Sequence, residues 1–158
     1  MDDIANRKIF IFHIRGHDRR FSDLKHLFLG HGCEVRDAST SLTNAPSDPE
    51  HFRASVLTPL IQWSEIVVVL LSKSTTHNEF LNWVVGYGRT LNKRIIGIWD
   101  DEEYDGEPEI PPKLNEFGNA IVPFDPEQVI PAVTGGLDGF LNPDGGARPE
   151  RPIYRHNC

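Results

Sequence analysis

The sequence predicts an α/β fold in which a five-stranded parallel sheet is covered by helices on both faces. Short apolar segments rich in β-branched residues alternate with amphipathic helical segments along the chain, and this alternation is typical of βαβ units. The segments at 8–14 and 66–72 are apolar almost throughout, as expected for strands buried on both faces. Glycines such as Gly16, Gly30 and Gly32 mark the turns between strands and helices.

The strands are predicted from these apolar runs, and each is followed by a helix. They are expected near residues 8–14, 33–38, 65–72, 94–99 and 120–124. The last strand contains Pro123, which cannot donate a ladder hydrogen bond, so we place this strand at an edge of the sheet.

The helices are predicted from apolar residues at helical spacing. The first has an apolar face, and either Asp18 or Ser22 can cap its start. Pro59 lies inside the second helix, so we expect a kink or an early end there. Asp125 is placed to cap the last helix. The first helix is expected to end at Gly30 and Gly32, and the other four are expected over 51–63, 79–91, 111–117 and 125–133.

Length and composition predict one domain with a tail. The chain has 158 residues, which suits a single domain. Most of its 12 prolines and 13 glycines lie in the last third, so we divide the chain into a domain at 1–134 and a Pro/Gly/Arg-rich tail at 135–158. The tail has little apolar sequence for a core, and we expect it to be extended or packed on a partner.

Charge and apolar patterning exclude two classes of partner. The net charge is −7 and no basic face is visible, so direct binding of nucleic acid is not expected. No apolar run approaches the roughly 20 residues of a membrane span, so no membrane association is expected either. The N-terminus lacks an apolar signal core, and Cys33 and Cys158 are too few for a disulfide framework, which together predict a cytoplasmic protein.

A ligand site is expected at the carboxyl edge of the sheet, where open α/β folds bind their ligands. The segments 13–18, 37–41, 72–76 and 99–102 follow the predicted strands and therefore meet there. No metal site is expected, because the four histidines between residues 13 and 31 match no zinc spacing. The chain has no Walker motif, dinucleotide-binding glycine motif, nucleophile elbow or zinc-protease motif. Those four histidines are His13, His17, His26 and His31.

Several segments, in this order, resemble a TIR-like domain, most closely the TIR-like subunit of bacterial Thoeris antiphage systems. The likeness covers nearly the whole chain. Its main pieces are residues 12–21, 32–39 and 67–72, then Asn82, Trp83 and Tyr87, then residues 91–98.

This resemblance implies a TIR-like (flavodoxin-like) three-layer fold and chemistry on NAD. In related sequences a glutamate follows the tryptophan, and its carboxylate stabilises the positive charge that builds on the ribose as nicotinamide leaves. Aligning the helix on Leu91 and Lys93 puts Val84 at that position. Valine supplies no such stabilisation, and each 1.36 kcal/mol of it is worth about tenfold in rate.

Two glycines in the same helix also differ from the related sequences, which usually have glutamate and alanine there. Glycine in a helix interior costs roughly 0.5–1 kcal/mol relative to alanine. Gly86 and Gly88 therefore indicate either close packing of the helix backbone against a neighbour or a relaxed constraint on the helix.

The candidate binding residues follow from the topology and the resemblance. We expect one pocket at the carboxyl edge that holds NAD or an ADP-ribose-like nucleotide as a ligand or substrate, with Arg15 pairing with a phosphate. No catalytic residue is assigned. The pocket is expected to be lined by His13, Arg15, Asp37, Ser39, Trp83 and Val84.

Three functions are compatible with these residues. The first is a TIR-like defence protein, degenerate at Val84, that acts by binding a nucleotide or by assembling as a homo-oligomer or with a defence effector. The second is an active NAD glycohydrolase or ADP-ribosyl cyclase that uses Glu79 or Asp37, or a site completed by a neighbouring protomer, and makes a signal for an effector. The third is a nucleoside deoxyribosyltransferase-like or response-regulator-like domain that shares only the sheet, although Ser72 stands where a response regulator has its aspartate.

Overall fold

In a computed structural model, the protein is described over residues 4–14, 20–40, 48–72, 77–100 and 109–146. Within these ranges six parallel strands form one sheet in the order β2-β1-β3-β4-β5-β6. The first five follow the flavodoxin-like strand order, which confirms the predicted α/β fold class. The strands are β1 (Lys8–Ile14), β2 (Glu34–Thr40), β3 (Ile66–Leu71), β4 (Arg94–Trp99), β5 (Ala120–Pro123) and β6 (Gly139–Phe140).

Helices cover both faces of the sheet. Helices α1 and α6 pack on one face, here called the α1 side. The opposite face, the α4 side, is covered by α3, α4 and α5. None of the helices in the described ranges has the length and apolar character needed to cross a bilayer. The helices are α1 (Phe21–Gly30), α2 (Pro49–Phe52), α3 (Thr58–Trp63), α4 (Glu79–Thr90), α5 (Pro112–Phe117) and α6 (Pro126–Thr134).

Strand alternation builds a separate core on each face. Successive side chains of a strand point to opposite faces. In β1, Ile9 and Ile11 therefore pack on the α1 side, whereas Phe10, Phe12 and Ile14 pack on the α4 side. This alternation also decides the face on which each polar residue at a strand end lies.

The helix that contains Pro59 does not end there but continues to Trp63 after a change of helical type. A π-helical segment, Arg53–Leu57, joins α2 to α3. The Thr58 N–H donates to the Arg53 carbonyl, five residues back. Proline lacks an N–H, and its ring clashes with the carbonyl four residues back in an α-helix. The wider π-helical turn before Pro59 accommodates both the missing N–H and the bulk of the ring.

The sheet has one strand more than predicted, because the start of the predicted tail joins it. Strand β6 pairs with β5, with Gly139 opposite Ala120. Two residues are too few to show a strand periodicity in the sequence. Side chains from β4 hold this segment: the Arg94 guanidinium donates to the Leu137 carbonyl at 3.0 Å, and the Trp99 indole donates to the Leu141 carbonyl at 2.8 Å.

The domain division at residue 134 stays a prediction, although residues 139–141 join the sheet. The remaining residues of the predicted tail, 147–158, lie outside the described ranges.

The predicted helix caps have mixed outcomes. Asp125 accepts a hydrogen bond from the Glu127 N–H at 3.0 Å, which confirms the cap of α6. The expectation for Ser22 is wrong, since Arg20 is the N-cap residue of α1 and its side chain makes no capping bond. Asp18 lies outside the described residues.

Candidate functional site

Buried polar side chains gather at the carboxyl edge of the sheet. Four polar or charged side chains are buried within the described ranges. Ser64 is one of them, and it donates to a carbonyl at the end of α3. The other three lie at the ends of β1, β3 and β4, namely His13, Ser72 and Asp100, which are 9%, 6% and 1% exposed. Burying polar groups is unfavourable unless they are satisfied, so their concentration at one edge marks the candidate site.

His13, near the end of β1, has a fixed ring orientation. The imidazole stacks on the Phe21 ring, with centroids 3.8 Å apart and planes 12° apart. Its Nε2 atom lies 3.5 Å from Oδ2 of Asp37. Phe21 is the first residue of α1, so the start of this helix positions the ring against β2.

Asp37 joins His13 to the neighbouring strand and helix. It pairs in register with Ile11, on the α1 side of the sheet. Its side chain is 32% exposed, and its Oδ1 atom lies 3.6 Å from Nζ of Lys25 on α1. Ser39 pairs in register with His13 and therefore lies on the same face. The α1 side of this edge thus carries an imidazole, a carboxylate, an ammonium and a hydroxyl.

Asp100 anchors the start of α1 at the same edge. Its Oδ1 atom accepts a hydrogen bond from the Arg20 N–H at 2.7 Å. The Asp100 N–H in turn donates to the Leu71 carbonyl at 2.7 Å, which continues the pairing of β3 and β4. The carboxylate therefore takes the place of a local cap and holds α1 where Phe21 can stack on His13.

The strand order makes this edge the expected place for a ligand. In a flavodoxin-like sheet the chain crosses over in opposite directions from β1 and β3, which leaves a crevice between their carboxyl ends. His13 belongs to β1 and Ser72 follows β3, so these two buried polar side chains flank that crevice.

The structure brings only part of the predicted pocket together. His13, Asp37 and Ser39 converge on the α1 side. Trp83 and Val84 belong to α4, which packs on the opposite face. Arg15 lies outside the described residues. The ligand-binding role of all six residues stays a prediction.

Val84 is fully buried, at 0% exposure, within the apolar cluster on the α4 side. Trp83 is half-buried and stacks on Tyr87, with centroids 5.1 Å apart and planes 13° apart. Both aromatic side chains line a groove of about 350 Å³ together with Asn82, Gly86, Thr90 and Lys113. Trp83 therefore faces a groove between α4 and α5, on the other side of the sheet from His13.

Four side chains at the carboxyl edge, on the α1 side, are not among the binding residues predicted from the sequence. Ser72 and Asp100 lie in segments expected at the carboxyl edge but were not singled out. Lys25 and Phe21 lie on α1, for which the sequence predicts only an apolar face. The alternation of β1 and β2 is a signal that groups His13 with Asp37 and Ser39, because all three are odd-numbered residues in strands whose odd positions face α1.

The α1-side cluster can bind a polar ligand through several hydrogen bonds. Hydroxyl, carboxylate and imidazole groups suit the hydroxyls of a ribose. The Lys25 ammonium is a point charge of the kind that binds phosphate. Within the described ranges, no group of three or more His, Cys, Asp or Glu side chains is arranged to hold a metal ion.

Comparison with known families gives one match. The family described as "Thoeris protein ThsB, TIR-like domain" matches residues 10–105, which is more than half of the 158-residue chain. The matched span runs from within β1 to beyond β4 and contains every candidate residue at the carboxyl edge. No curated protein matches the chain.

Proposed function

Because this chain belongs to the ThsB TIR-like domain family of Thoeris antiphage defence, we propose that it binds an ADP-ribose-containing nucleotide and assembles with other defence subunits, without cleaving NAD. NAD and ADP-ribose-like molecules are the ligand class that the resemblance to TIR-like domains implies. The α1-side cluster supplies the groups for binding. The reason for proposing no cleavage comes from the sequence: valine stands at position 84, on the α4 side, where the related sequences have a glutamate.

Val84 carries this proposal. It stands where the related sequences have a glutamate, and it is 0% exposed among apolar neighbours on α4. An apolar, fully buried side chain stabilises no positive charge on a ribose. If the reaction depends on that carboxylate, removing it costs several kcal/mol in the transition state, and each 1.36 kcal/mol slows the reaction about tenfold.

The contacts of His13 support a binding role at the carboxyl edge. Its ring is held by Phe21 at 3.8 Å, so little side-chain freedom remains to be lost when a ligand binds. Asp37 and Lys25 bring opposite charges beside it. Ribose hydroxyls fit the carboxylate and imidazole, and phosphate oxygens fit the ammonium and the predicted Arg15 guanidinium.

Calorimetry with ADP-ribose tests the binding. We expect the unaltered chain to bind and Asp37→Asn to weaken binding by about tenfold, the effect of losing roughly 1.4 kcal/mol from a charged hydrogen bond. The matched control is Glu34→Gln, which changes an acid to an amide on the same strand at the opposite edge of the sheet. Absence of binding by the unaltered chain, or equal loss in both variants, would contradict the proposed site.

Incubation with NAD tests the lack of cleavage. We expect no release of nicotinamide from the unaltered chain. Val84→Glu restores the carboxylate, and Val84→Gln is the uncharged control of the same length. Thermal unfolding of both variants shows whether the buried position accepts a polar group. Nicotinamide release by Val84→Glu alone would indicate that the rest of an NAD-cleaving site is intact.

A second candidate function is an active NAD glycohydrolase or cyclase that uses Asp37. The observation in its favour is the imidazole–carboxylate pair of His13 and Asp37, 3.5 Å apart at the edge where ligands bind. Nicotinamide release by the unaltered chain, abolished by Asp37→Asn, would establish this candidate and reject the first. Loss of the same activity in Glu79→Gln would instead assign the reaction to the start of α4.

A further inference from the structure

The packing of the described residues does not explain why position 86 of α4 is a glycine. A Cβ atom at Gly86 would meet no atom within 4 Å outside its own helix turn. At Gly88 a Cβ would lie 3.4 Å from Ile95 and 3.5 Å from Val67, so packing against the sheet explains that glycine. Glycine destabilises a helix interior relative to alanine, and no neighbour among the described residues requires one at position 86.

Gly86 lies at the centre of an aromatic groove. Residues three and four apart on a helix lie on one face, so Trp83, Gly86, Tyr87 and Thr90 share the outward face of α4. Together with Glu79, one helical turn earlier, they are called the α4 outer face. The groove over it measures about 350 Å³. Because glycine has no side chain, the backbone of another chain can approach closely at Gly86, and the half-buried aromatic side chains beside it can contact that chain.

The two ends of α4 carry opposite charges, Glu79 on the α4 outer face and Arg89 beside it. Glu79 is exposed in the first turn of α4, and Arg89 is exposed in the last turn. Lys93 follows the helix and donates to the Gln62 carbonyl at 3.3 Å. Among the described residues neither Glu79 nor Arg89 forms a salt bridge, and the Arg89 guanidinium lies over the Phe117 ring.

We infer that the α4 outer face binds a second copy of this chain across a two-fold axis, with the two α4 helices antiparallel. An antiparallel arrangement puts the acidic start of each α4 opposite the basic end of the other, and a two-fold contact uses the same surface twice. Gly86 then lies where the helices approach most closely. This inference deepens the assembly part of the proposed function and rests on it.

The size of the surface indicates a weak dimer. The 12 residues of α4 span about 18 Å, and a helix with its side chains is about 10 Å wide. Such a strip is well below the roughly 800 Å² that each partner buries in a standard interface. The dimer is therefore expected to be weak and to form only at high protein concentration.

Sedimentation velocity over a concentration series tests the surface. Gly86→Leu fills the approach and should weaken dimerisation by at least about tenfold. The matched control is Gly30→Leu, because a Cβ at Gly30 also meets nothing within 4 Å but the residue lies on α1. A monomeric mass for the unaltered chain at every concentration overturns the inference, as does a dimer that Gly86→Leu leaves unchanged.

A charge exchange tests the antiparallel direction. Glu79→Arg and Arg89→Glu should each weaken the dimer, because each places like charges at positions 79 and 89 of facing copies. The double variant should regain most of the original affinity, since the two charges have exchanged ends. A double variant as weak as the single variants overturns the antiparallel arrangement.

Gly86→Ala separates association from stability. Alanine should raise the unfolding midpoint of the monomer by about 1–4 °C while it weakens the dimer, and a purely structural role for Gly86 predicts no effect on mass. Calorimetry with ADP-ribose on Gly86→Leu keeps the two proposals apart. Loss of the dimer with unchanged affinity for ADP-ribose supports dimerisation through the α4 outer face. If the unaltered chain dimerises but binds no nucleotide, that result also supports the dimer and rejects only the proposed nucleotide binding.

Discussion

Gly97→Ala is expected to destabilise the protein because β4 has no room for a methyl group on the α4 side. A Cβ at Gly97 would lie 2.8 Å from Cδ2 of Leu114, 3.1 Å from Cδ1 of Leu71 and 3.2 Å from Cγ1 of Ile121. Carbon atoms are best separated by about 3.5–4.0 Å, so the neighbours must move by roughly 0.3–0.7 Å or more. Overpacking of this kind costs about 1–3 kcal/mol, or about 2–12 °C in unfolding midpoint for a chain of this size.

A double-mutant cycle in urea unfolding measures whether that contact is the cause. Leu114 is fully buried, and Leu114→Ala alone should cost about 2–5 kcal/mol by leaving a cavity. In the double variant the new methyl group occupies part of that cavity, so the loss should fall short of the sum by about 1 kcal/mol or more. Gly30→Ala, in open space, is the control. A neutral Gly97→Ala, or strictly additive losses, would refute this reasoning.

Three further substitutions test contacts of Asp100 and Arg94. Asp100→Ala should cost about 1–3 kcal/mol by leaving the Arg20 N–H without its acceptor, and hydrogen exchange should become faster at the start of α1; unchanged exchange there would contradict the anchoring role. Arg94→Met should cost about 1–3 kcal/mol and speed exchange over 135–141, because two carbonyls lose a charged donor. Asp138→Asn, at a 69% exposed partner of Arg94, should cost less than about 1 kcal/mol.

Strands β1, β3 and β4 were predictable because the evidence for each lies in its own residues. A strand buried on both faces is apolar along its whole length, and this can be read from six or seven residues in a row. Strand β6 has two residues, and its place depends on Arg94 and Trp99 from a strand about 40 residues earlier. A contact between such distant residues leaves no periodicity in the sequence near β6.

The start of α1 shows the same limit. Local capping rules point to Asp18 or Ser22, but the Arg20 N–H is bonded by Asp100, 80 residues along the chain. The position of Asp100 beside α1 depends on the whole sheet being assembled. Capping by a distant residue can therefore be seen only in the structure.

The division of the candidate residues between two faces follows from topology. Crossovers between parallel strands are right-handed. From β1 the chain crosses to β2 on one side, and from β3 it crosses to β4 on the other, so α1 and α4 must lie on opposite faces. Predicting one edge for all the strand ends was sufficient to bring His13 and Asp37 together, but only the strand order separates them from Trp83.

The strand order also has a consequence for synthesis. Once β3 has paired with β1, each later strand joins the one made just before it, always at the same edge of the sheet. No strand has to insert between two neighbours that are already paired, so the sheet can grow in step with the emerging chain, as domains that fold from the N-terminus do. Until the next strand arrives, the newest apolar strand is an open edge prone to pairing with other chains. The interval between β3 and the short β6 is therefore when a nascent chain is most vulnerable to aggregation.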